Sequence, residues 1–356
     1  MLKASVPARN LTRPVNVGGV QIGGGAPVVV QSMTCTPTTD ADATLAQIKA
    51  LVKAGCDIVR VSVPTAEAVE PFGRICSLSP VPIVADIHFD YRLAIAAVEH
   101  GASKLRINPG NIGSWDRVDA VIDAAGQAGA AIRIGVNAGS LDKDIASRED
   151  LTQVDKLVAS SMQFVDHFET RGFTDIVLSA KAHSVSTTLE TYRRLSSELP
   201  QIPLHLGVTE AGGIQQGTIK SSIALGALLA EGIGDTMRVS LTADPVEEVP
   251  VAWGILSALE LRRRGPEIVS CPTCARCQVD LIEIADEVTR RLASCTKPIT
   301  VAVMGCVVNG PGEASDADVG VACGRGSALL FRHGEVVRKV DESQIVDALI
   351  EEAEAL

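Results

Sequence analysis

The chain has 356 residues, a formal net charge of −11 and an aromatic content of only 3%. An acidic chain with so few aromatic residues is unlike a nucleic-acid-binding protein, which needs a basic face and often stacking platforms. No apolar run reaches the roughly 18 residues that cross a bilayer, and residues 1–15 lack the apolar core of a signal peptide. We therefore expect a cytoplasmic protein with no membrane or nucleic-acid partner.

The first two thirds of the chain repeat one unit. Residues 14–26 predict a β-hairpin turned by glycine, and eight β-rich runs follow, each succeeded by a helical stretch. The runs are Val28–Ser32, Asp57–Val63, Ile83–His88, Lys104–Asn108, Ile132–Asn137, Asp175–Lys181, Leu204–Val208 and Thr236–Leu241. Eight such units predict an α/β fold, a (β/α)8 TIM barrel, with a doubly wound sheet as the alternative.

Polar side chains recur with period two near the ends of these runs, where a barrel interior is normally branched and apolar. Five of them are cations, Arg60, Arg106, Arg133, Lys181 and Arg238. The others are Asp86, His88, Asn108, Asn137 and Ser240. Asp86, Glu210 and Asp235 are too few to neutralise the cations, so the pattern favours a pocket for phosphate or diphosphate. The alternative is an internal network of arginines and carboxylates that braces the barrel.

A second, smaller domain is expected after the barrel. The last barrel helix is predicted over 246–263, and a linker at 264–270 contains Gly-Pro, which stops a helix. Residues 271–356 then read as a compact α+β unit. Its elements are a helix capped by Asp280, strands at 299–304 and 318–322, a hairpin over 328–340 and a final helix over 342–354.

Nine cysteines in a chain without a secretion signal indicate reduced thiols and metal ligation. Cys271, Cys274 and Cys277 follow one another at intervals of three, and Cys306 lies before a loop rich in Gly and Pro. This spacing suits an iron–sulfur cluster and, somewhat less well, a four-cysteine zinc site. Spacing alone leaves the choice between the two open and does not exclude Cys277 as a ligand.

Seven segments together resemble the 4-hydroxy-3-methylbut-2-en-1-yl diphosphate synthase family of isoprenoid biosynthesis. They are V-V-V-Q-S-M-T, D-I-V-R-V-S-V-P, A-D-I-H-F, L-R-I-N-P-G-N-I-G, I-R-I-G-V-N-A-G-S-L, S-C-P-T-C-A-R and M-G-C-V-V-N-G-P-G-E-A. The resemblance covers nearly the whole chain and is that of the short bacterial form. It implies reductive ring opening of 2-C-methyl-D-erythritol 2,4-cyclodiphosphate to the linear allylic diphosphate, with loss of a hydroxyl as water.

The resemblance also implies a cofactor, partners and site residues. The cofactor is one [4Fe–4S] cluster on Cys271, Cys274 and Cys306, with Glu313 on the fourth iron. The partners are flavodoxin or ferredoxin as electron donor and a second copy of the chain in a homodimer. We expect Glu313, His88 and Glu210 to be catalytic, and the cyclodiphosphate to bind the polar barrel residues. Those are Arg60, Asp86, His88, Arg106, Asn108, Arg133, Asn137, Lys181, Arg238 and Ser240.

Two other functions are consistent with parts of the pattern. One is a phosphosugar lyase or aldolase with a structural metal domain, in which Lys181 forms a Schiff base. The other is an electron carrier or cluster-based sensor, which has no need of five convergent cations.

Overall fold

The computed structural model describes residues 8–139, 141, 143–306, 312 and 315–356. The chain forms two compact units, Met1–Arg262 and Arg263–Leu356. In the described residues, no helix has the length and apolar composition that crossing a membrane requires.

Eight parallel strands build the first unit. They are β3 (Val29–Met33), β4 (Ile58–Ser62), β5 (Ile83–Asp86), β6 (Lys104–Ile107), β7 (Ala131–Asn137), β8 (Ile176–Lys181), β9 (His205–Leu206) and β10 (Thr236–Met237). Hydrogen bonds join them in the order β8-β7-β6-β5-β4-β3-β10-β9, and a parallel bridge between Leu178 and Leu204 connects the two ends. This closure confirms the predicted TIM barrel and excludes the doubly wound sheet, which stays open.

Helices alternate with the strands of the barrel. They are α1 (Ala41–Ala54), α2 (Val69–Leu78), α3 (Tyr91–Glu99), α4 (Pro109–Ile112), α5 (Trp115–Ala128), α6 (Lys143–Ala146), α7 (Gln153–Thr170), α8 (Val185–Glu198), α9 (Ile214–Ala230) and α10 (Glu248–Ala258). Short polar side chains begin several of them: Asp40 accepts a hydrogen bond from Ala43 N, and Thr152 forms a capping box with Asp155.

The hairpin predicted over residues 14–26 is present, and it closes the amino-terminal end of the barrel. Its strands are β1 (Val15–Val17) and β2 (Val20–Ile22), and the turn between them has positive φ at Gly18 and Gly19, which suits glycine. The buried side chains of Val15, Val17 and Ile22 pack against the first inward-facing residues of five barrel strands. These are Val29, Ile58, Val84, Ala131 and Val177.

The two faces of each barrel strand differ in chemistry. Val59, Val61 and other residues of the outward face join the hydrophobic layer beneath the helices. The inward face starts apolar at the hairpin and becomes polar two residues later: Ile58 is followed by Arg60, and Ala131 by Arg133. Because side chains alternate along a strand, these polar residues point into the lumen of the barrel.

The second unit is a five-stranded sheet with two helices. The strands are β11 (Glu267–Ser270), β12 (Thr300–Met304), β13 (Val319–Gly324), β14 (Ser327–Arg332) and β15 (Glu335–Asp341), and the helices are α11 (Leu281–Leu292) and α12 (Ile345–Glu354). Asp280 caps α11, and the β14–β15 turn falls at His333 and Gly334, both with positive φ. The α+β composition agrees with the prediction.

Two boundaries differ from the sequence analysis. Residues Glu267–Ser270, expected in the linker, form β11 and pair in parallel with Thr300–Val303, so they belong to the second unit. Helix α10 ends at Ala258 and not at 263, because Glu260 adopts a left-handed backbone with φ of 54°. Leu261 N then bonds back to Leu256 O, which ends the helix.

Candidate active site

Asp86 is the buried acid at the carboxyl ends of the strands. It ends β5, is 2% exposed, and lies 3.3 Å from Arg106 Nη1 and 3.7 Å from Arg60 Nε. Burial alone raises the pKa of this carboxyl, but the guanidinium groups of Arg60 and Arg106, with smaller contributions from His88 and Arg133, outweigh burial and keep the pKa below its ordinary value. Asp86 is therefore a permanent carboxylate that orients two guanidinium groups.

Arg238 has a carboxylate partner of its own that the sequence analysis missed. Glu248, at the start of α10, binds Arg238 through two contacts of 3.0 and 2.9 Å and is only 3% exposed. The same carboxylate accepts hydrogen bonds from Ser32 Oγ and Leu241 N. Glu248 lies on a helix, and the prediction considered only the alternation of side chains along strands. The one sequence feature that could have indicated it is its position ten residues after Arg238.

Arg133 and Lys181 are two buried basic side chains whose charged forms are disfavoured by their surroundings. Arg133 is 1% exposed, and its Nε and Nη1 have no hydrogen-bond partner among the described residues. Burial, reinforced by the nearby arginines, lowers the pKa of both Arg133 and Lys181 well below the ordinary values. Burial likewise lowers the pKa of Arg60 to about 10. Each of these cations lacks the full anionic compensation that a dry interior demands.

Met33 is the nearest soft acceptor to two of the arginines. Its thioether sulfur lies 2.8 Å from Arg60 Nη2 and 3.6 Å from Arg238 Nη1. A thioether accepts hydrogen bonds only weakly, so it does not neutralise either guanidinium. The guanidinium groups of Arg60 and Arg238 can therefore still donate hydrogen bonds to a stronger acceptor.

The three predicted neutral donors lie at the same end of the barrel. Asn108 follows β6, is 1% exposed and accepts a hydrogen bond from Gly110 N. Asn137 ends β7, and its amide, in the orientation that satisfies both groups, accepts from Arg106 Nη2 at 2.9 Å. Ser240 follows β10 and is half-buried.

Two predicted catalytic residues occupy loops beyond the strands. His88 is exposed two residues after Asp86, and Glu210 is exposed in the loop after β9 with φ of 54°. Left-handed backbone is uncommon for glutamate and is retained where the surroundings fix it. Both side chains stand at the carboxyl ends of strands, the face on which TIM barrels carry their active sites.

Asp235 does not belong to this end of the barrel. It precedes β10, and its carboxylate binds Arg9 at 2.8 Å and accepts hydrogen bonds from Thr12 and from Leu204 N. The expectation that Asp235 offsets the cations of the mouth is wrong, because the amino-terminal end of a parallel strand lies at the opposite face. Its place among the barrel acids is taken by Glu248.

Two cysteines of the second unit, Cys271 and Cys277, lie beside Gly305, and a third, Cys306, follows it in the chain. Cys271 follows β11, and its sulfur accepts a hydrogen bond from Gly305 N at 3.3 Å. Cys306 is the next residue after Gly305 and is 8% exposed. Cys277 Sγ donates to Val279 O, and a Cβ on Gly305 would come within 2.5 Å of it. Cys274 is exposed on the turn between Cys271 and Cys277.

Among the described residues, no three side chains of His, Cys, Asp or Glu are grouped closely enough to hold a metal ion. Glu313 lies outside the described residues. Cys323 is buried beside this region, and burial raises the pKa of its thiol to about 12, with Cys277, Glu342 and Cys271 adding to the effect. Outside this unit, Cys35 is exposed and accepts a hydrogen bond from Gln47 Nε2.

Both units match one protein family. Residues 12–253 match the GcpE TIM-barrel domain, and residues 267–355 match the GcpE protein C-terminal domain. A 4-hydroxy-3-methylbut-2-en-1-yl diphosphate synthase (flavodoxin) of Geobacter sulfurreducens is 54% identical over 97% of this chain and 98% of its own. An enzyme of the same name from Clostridium acetobutylicum is 53% identical over 96% of this chain and 97% of its own.

Among solved structures, similarity extends to part of this chain. A dihydropteroate synthase of Yersinia pestis covers 70% of this chain and 99% of its own, with 14% identity and a TM-score of 0.48. That overlap carries no functional argument. The near full-length identity and the match of both domains do: the chain belongs to the GcpE family.

Proposed function

We propose that this protein is a 4-hydroxy-3-methylbut-2-en-1-yl diphosphate synthase. It opens the ring of 2-C-methyl-D-erythritol 2,4-cyclodiphosphate with two electrons, releases one hydroxyl as water and yields 4-hydroxy-3-methylbut-2-enyl diphosphate. Family membership over both units and the names of the relatives support the reaction. The observation that carries it is the balance of charge in the barrel lumen.

That balance leaves a surplus of positive charge. Glu248 pairs with Arg238, and Asp86 is shared between Arg60 and Arg106, while Arg133 and Lys181 form no close ion pair with the described residues. Arg60, Arg106 and Arg238 alone exceed these two carboxylates by one positive charge, and Arg133 and Lys181 add two more basic side chains without an acid. A cyclic diphosphate supplies two negative charges and several oxygens that arginine forks bind bidentately. The alternative of a self-neutralised internal network does not account for this surplus.

The proposed binding set follows from these contacts. Arg106 and Lys181 bind diphosphate oxygens, Arg60, Arg133 and Arg238 complete the cationic wall, and Asn108, Asn137 and Ser240 act as neutral donors. Asp86 fixes the directions of Arg60 and Arg106 and does not itself meet the anion. His88, exposed beside Asp86, and Glu210 in the loop after β9 are the proposed acid–base groups of the barrel.

The proposed cofactor is a [4Fe–4S] cluster on Cys271, Cys274 and Cys306, with Glu313 as the fourth ligand. The donor chemistry fits, because cysteine thiolates hold such clusters, and Gly305 N, next to Cys306 in the chain, donates a hydrogen bond to Cys271 Sγ. A bound cluster would supply single electrons and an iron able to accept the substrate oxygen. Cys277 is left out because the resemblance assigns the cluster to the other three cysteines; its own thiol donates a hydrogen bond to Val279 O.

The proposed partners are flavodoxin or ferredoxin and a second copy of the chain. The relatives carry flavodoxin in their name, which supports a low-potential protein donor. We propose a homodimer in the cytoplasm, where reduced thiols are stable. Sedimentation equilibrium of the anaerobic protein gives the mass directly: a dimer of a 37.2 kDa chain supports the assignment, and a monomer at assay concentration contradicts it.

The reaction is tested anaerobically with a reduced flavodoxin and the cyclodiphosphate. We expect the linear diphosphate to accumulate, and the EPR spectrum of the reduced protein to change when the cyclodiphosphate is added. Arg106→Leu should weaken cyclodiphosphate binding by about 1.5–3 kcal/mol for each charge-assisted bond lost. Turnover without reductant, together with borohydride trapping of substrate on Lys181, would instead identify a Schiff-base lyase.

A further inference from the structure

Gly135 faces the barrel lumen from β7, where any side chain would strike Arg106. An ideal Cβ at this position would lie 2.6 Å from Arg106 Nε, 3.1 Å from Nη2 and 3.2 Å from Cζ. The nearest atoms all belong to the one guanidinium group. The Arg106 side chain therefore leaves β6 and lies across the neighbouring strand in the space that Gly135 leaves open.

Gly207 repeats the arrangement two strands further along the chain. An ideal Cβ there would lie 2.6 Å from Lys181 Nζ and 2.9 Å from its Cε, with Arg238 O at 3.0 Å. Lys181 ends β8, and Gly207 follows β9, the next strand. In both cases a cation of one strand occupies the volume of a side chain missing from the next strand.

Backbone conformation does not require glycine at either position. Neither Gly135 nor Gly207 is among the glycines with positive φ. Glycine in a strand costs conformational entropy and forfeits packing, so its presence calls for a reason of space. Gly320 in the second unit shows the ordinary reason: its missing Cβ makes room for the ring of Phe331, a packing contact. At Gly135 and Gly207 the nearest atoms belong to a basic side chain instead, with the carbonyl oxygen of Arg238 also close to the Cβ position of Gly207.

We propose that Gly135 and Gly207 are positioning residues, which hold Arg106 and Lys181 in the pose that binds the diphosphate of the substrate. This inference rests on the proposed function. A methyl group at either position would push the charged end of its neighbour away by roughly an ångström, and a displacement of that size is enough to misalign a charge-assisted hydrogen bond.

The experiment measures cyclodiphosphate binding to the oxidised holoenzyme by anaerobic calorimetry, without reductant and hence without turnover. Gly135→Ala should raise the Kd about 10- to 100-fold, the effect of losing one or two charge-assisted bonds. Gly226→Ala is the matched control, because Gly226 is half-buried in α9 and its Cβ would meet nothing within 4 Å. Its Kd should equal that of the parent protein.

A double-mutant cycle separates positioning from general damage. In an Arg106→Ala background the nearest obstacles to a Cβ at 135 are gone, so adding Gly135→Ala should change neither the Kd nor the melting temperature further. Additive losses would overturn the proposal. If Gly135→Ala alone fails to fold, the double variant still decides the point: recovery of folding supports the steric clash with Arg106, and renewed failure contradicts it.

The pair of Gly207 and Lys181 provides an independent test of the same proposal. Gly207→Ala and Lys181→Met should each weaken binding, and their combination should be no weaker than Lys181→Met alone. An unchanged Kd in both Arg106→Ala and Lys181→Met would overturn the proposed diphosphate site itself. Weakened binding in those two variants, with unchanged binding in Gly135→Ala and Gly207→Ala, would overturn only the role of the glycines.

Discussion

The cations of the barrel lumen are unequal at the scale of single residues. Arg238 is held by Glu248, Arg60 and Arg106 share Asp86, and Lys181 forms no ion pair with the described residues. Strand spacing predicted which side chains face inward, since alternation along a strand is a local property. It did not predict which acid meets which base, because Glu248 comes from a helix and its contact with Arg238 depends on how that helix packs.

Lys181 should take up a proton when the cyclodiphosphate binds. Burial, followed by Arg133 and the other arginines, lowers the pKa of this lysine in the free protein, and a bound dianion favours the charged form. We therefore expect the binding enthalpy to differ between PIPES and Tris buffers at the same pH, and the affinity to fall as the pH rises. Lys181→Met should reduce the difference. Equal enthalpies in the two buffers would contradict the assignment.

The same shift gives a sign for the pH dependence of folding. A lysine with a lowered pKa binds fewer protons when folded than when unfolded, so stability rises with pH between the folded and unfolded values. The unfolded value is near 10.4. The ligand-free protein should gain stability through this window, and Lys181→Met should flatten that part of the curve.

The cysteines of the second unit make a separate residue-level prediction. Cys277→Ser should retain about four irons per chain after anaerobic reconstitution, because its thiol bonds to Val279 O and is not needed as a ligand. Cys306→Ser should lose the cluster, as measured by iron content and by visible absorption. Retention of iron in the Cys306 variant with loss in the Cys277 variant would reverse the ligand assignment.

At the scale of elements, the barrel strands were the most predictable features. Each is a short run with one branched, apolar face against the helices. This pattern can be recognised in the sequence without knowing which strands lie next to it. Boundaries that depend on tertiary contacts were not predictable in this way. β11 has few apolar residues to bury, and it is a strand because it pairs with β12. The helix α10 ends before Glu260, which has a left-handed backbone, and no Gly or Pro at this point of the sequence predicts that end.

The hairpin β1–β2 should matter for stability and not for binding. Ile22 is 0% exposed and packs with the first inward layer of the barrel, so Ile22→Ala should destabilise the fold by about 2–5 kcal/mol. Denaturant unfolding of the barrel measures this loss, and Val20→Ala, at a half-buried position of the same strand, is the smaller reference change. The cyclodiphosphate Kd should stay the same, since the hairpin lies at the amino-terminal end of the strands. A large change in the Kd of Ile22→Ala would show that the hairpin and the binding site are coupled.

At the scale of the whole molecule, the proposed cofactor is expected to stabilise only one of the two units. The proposed ligands Cys271, Cys274 and Cys306 all belong to Arg263–Leu356; Cys271 directly follows β11, and Cys306 comes two residues after the end of β12. A group that binds only the folded form stabilises that form by mass action. β11 gains most from this, because its side chains are largely exposed and it lies at the edge of its sheet.

Hydrogen exchange of holo and apo protein should therefore differ mainly at two segments. Amides of 267–278 and 300–306 should exchange at least tenfold more slowly with the cluster bound, because opening β11 in the holo form must also release the ligands that follow it. Peptides from β6 and β7 are the internal reference, since their amides are fixed by the barrel sheet. The Cys277→Ser protein, reconstituted in parallel, should show the same protection as the parent, whereas Cys306→Ser should resemble the apo form. Equal exchange of the 267–278 segment with and without bound iron would mean that the metal is held elsewhere.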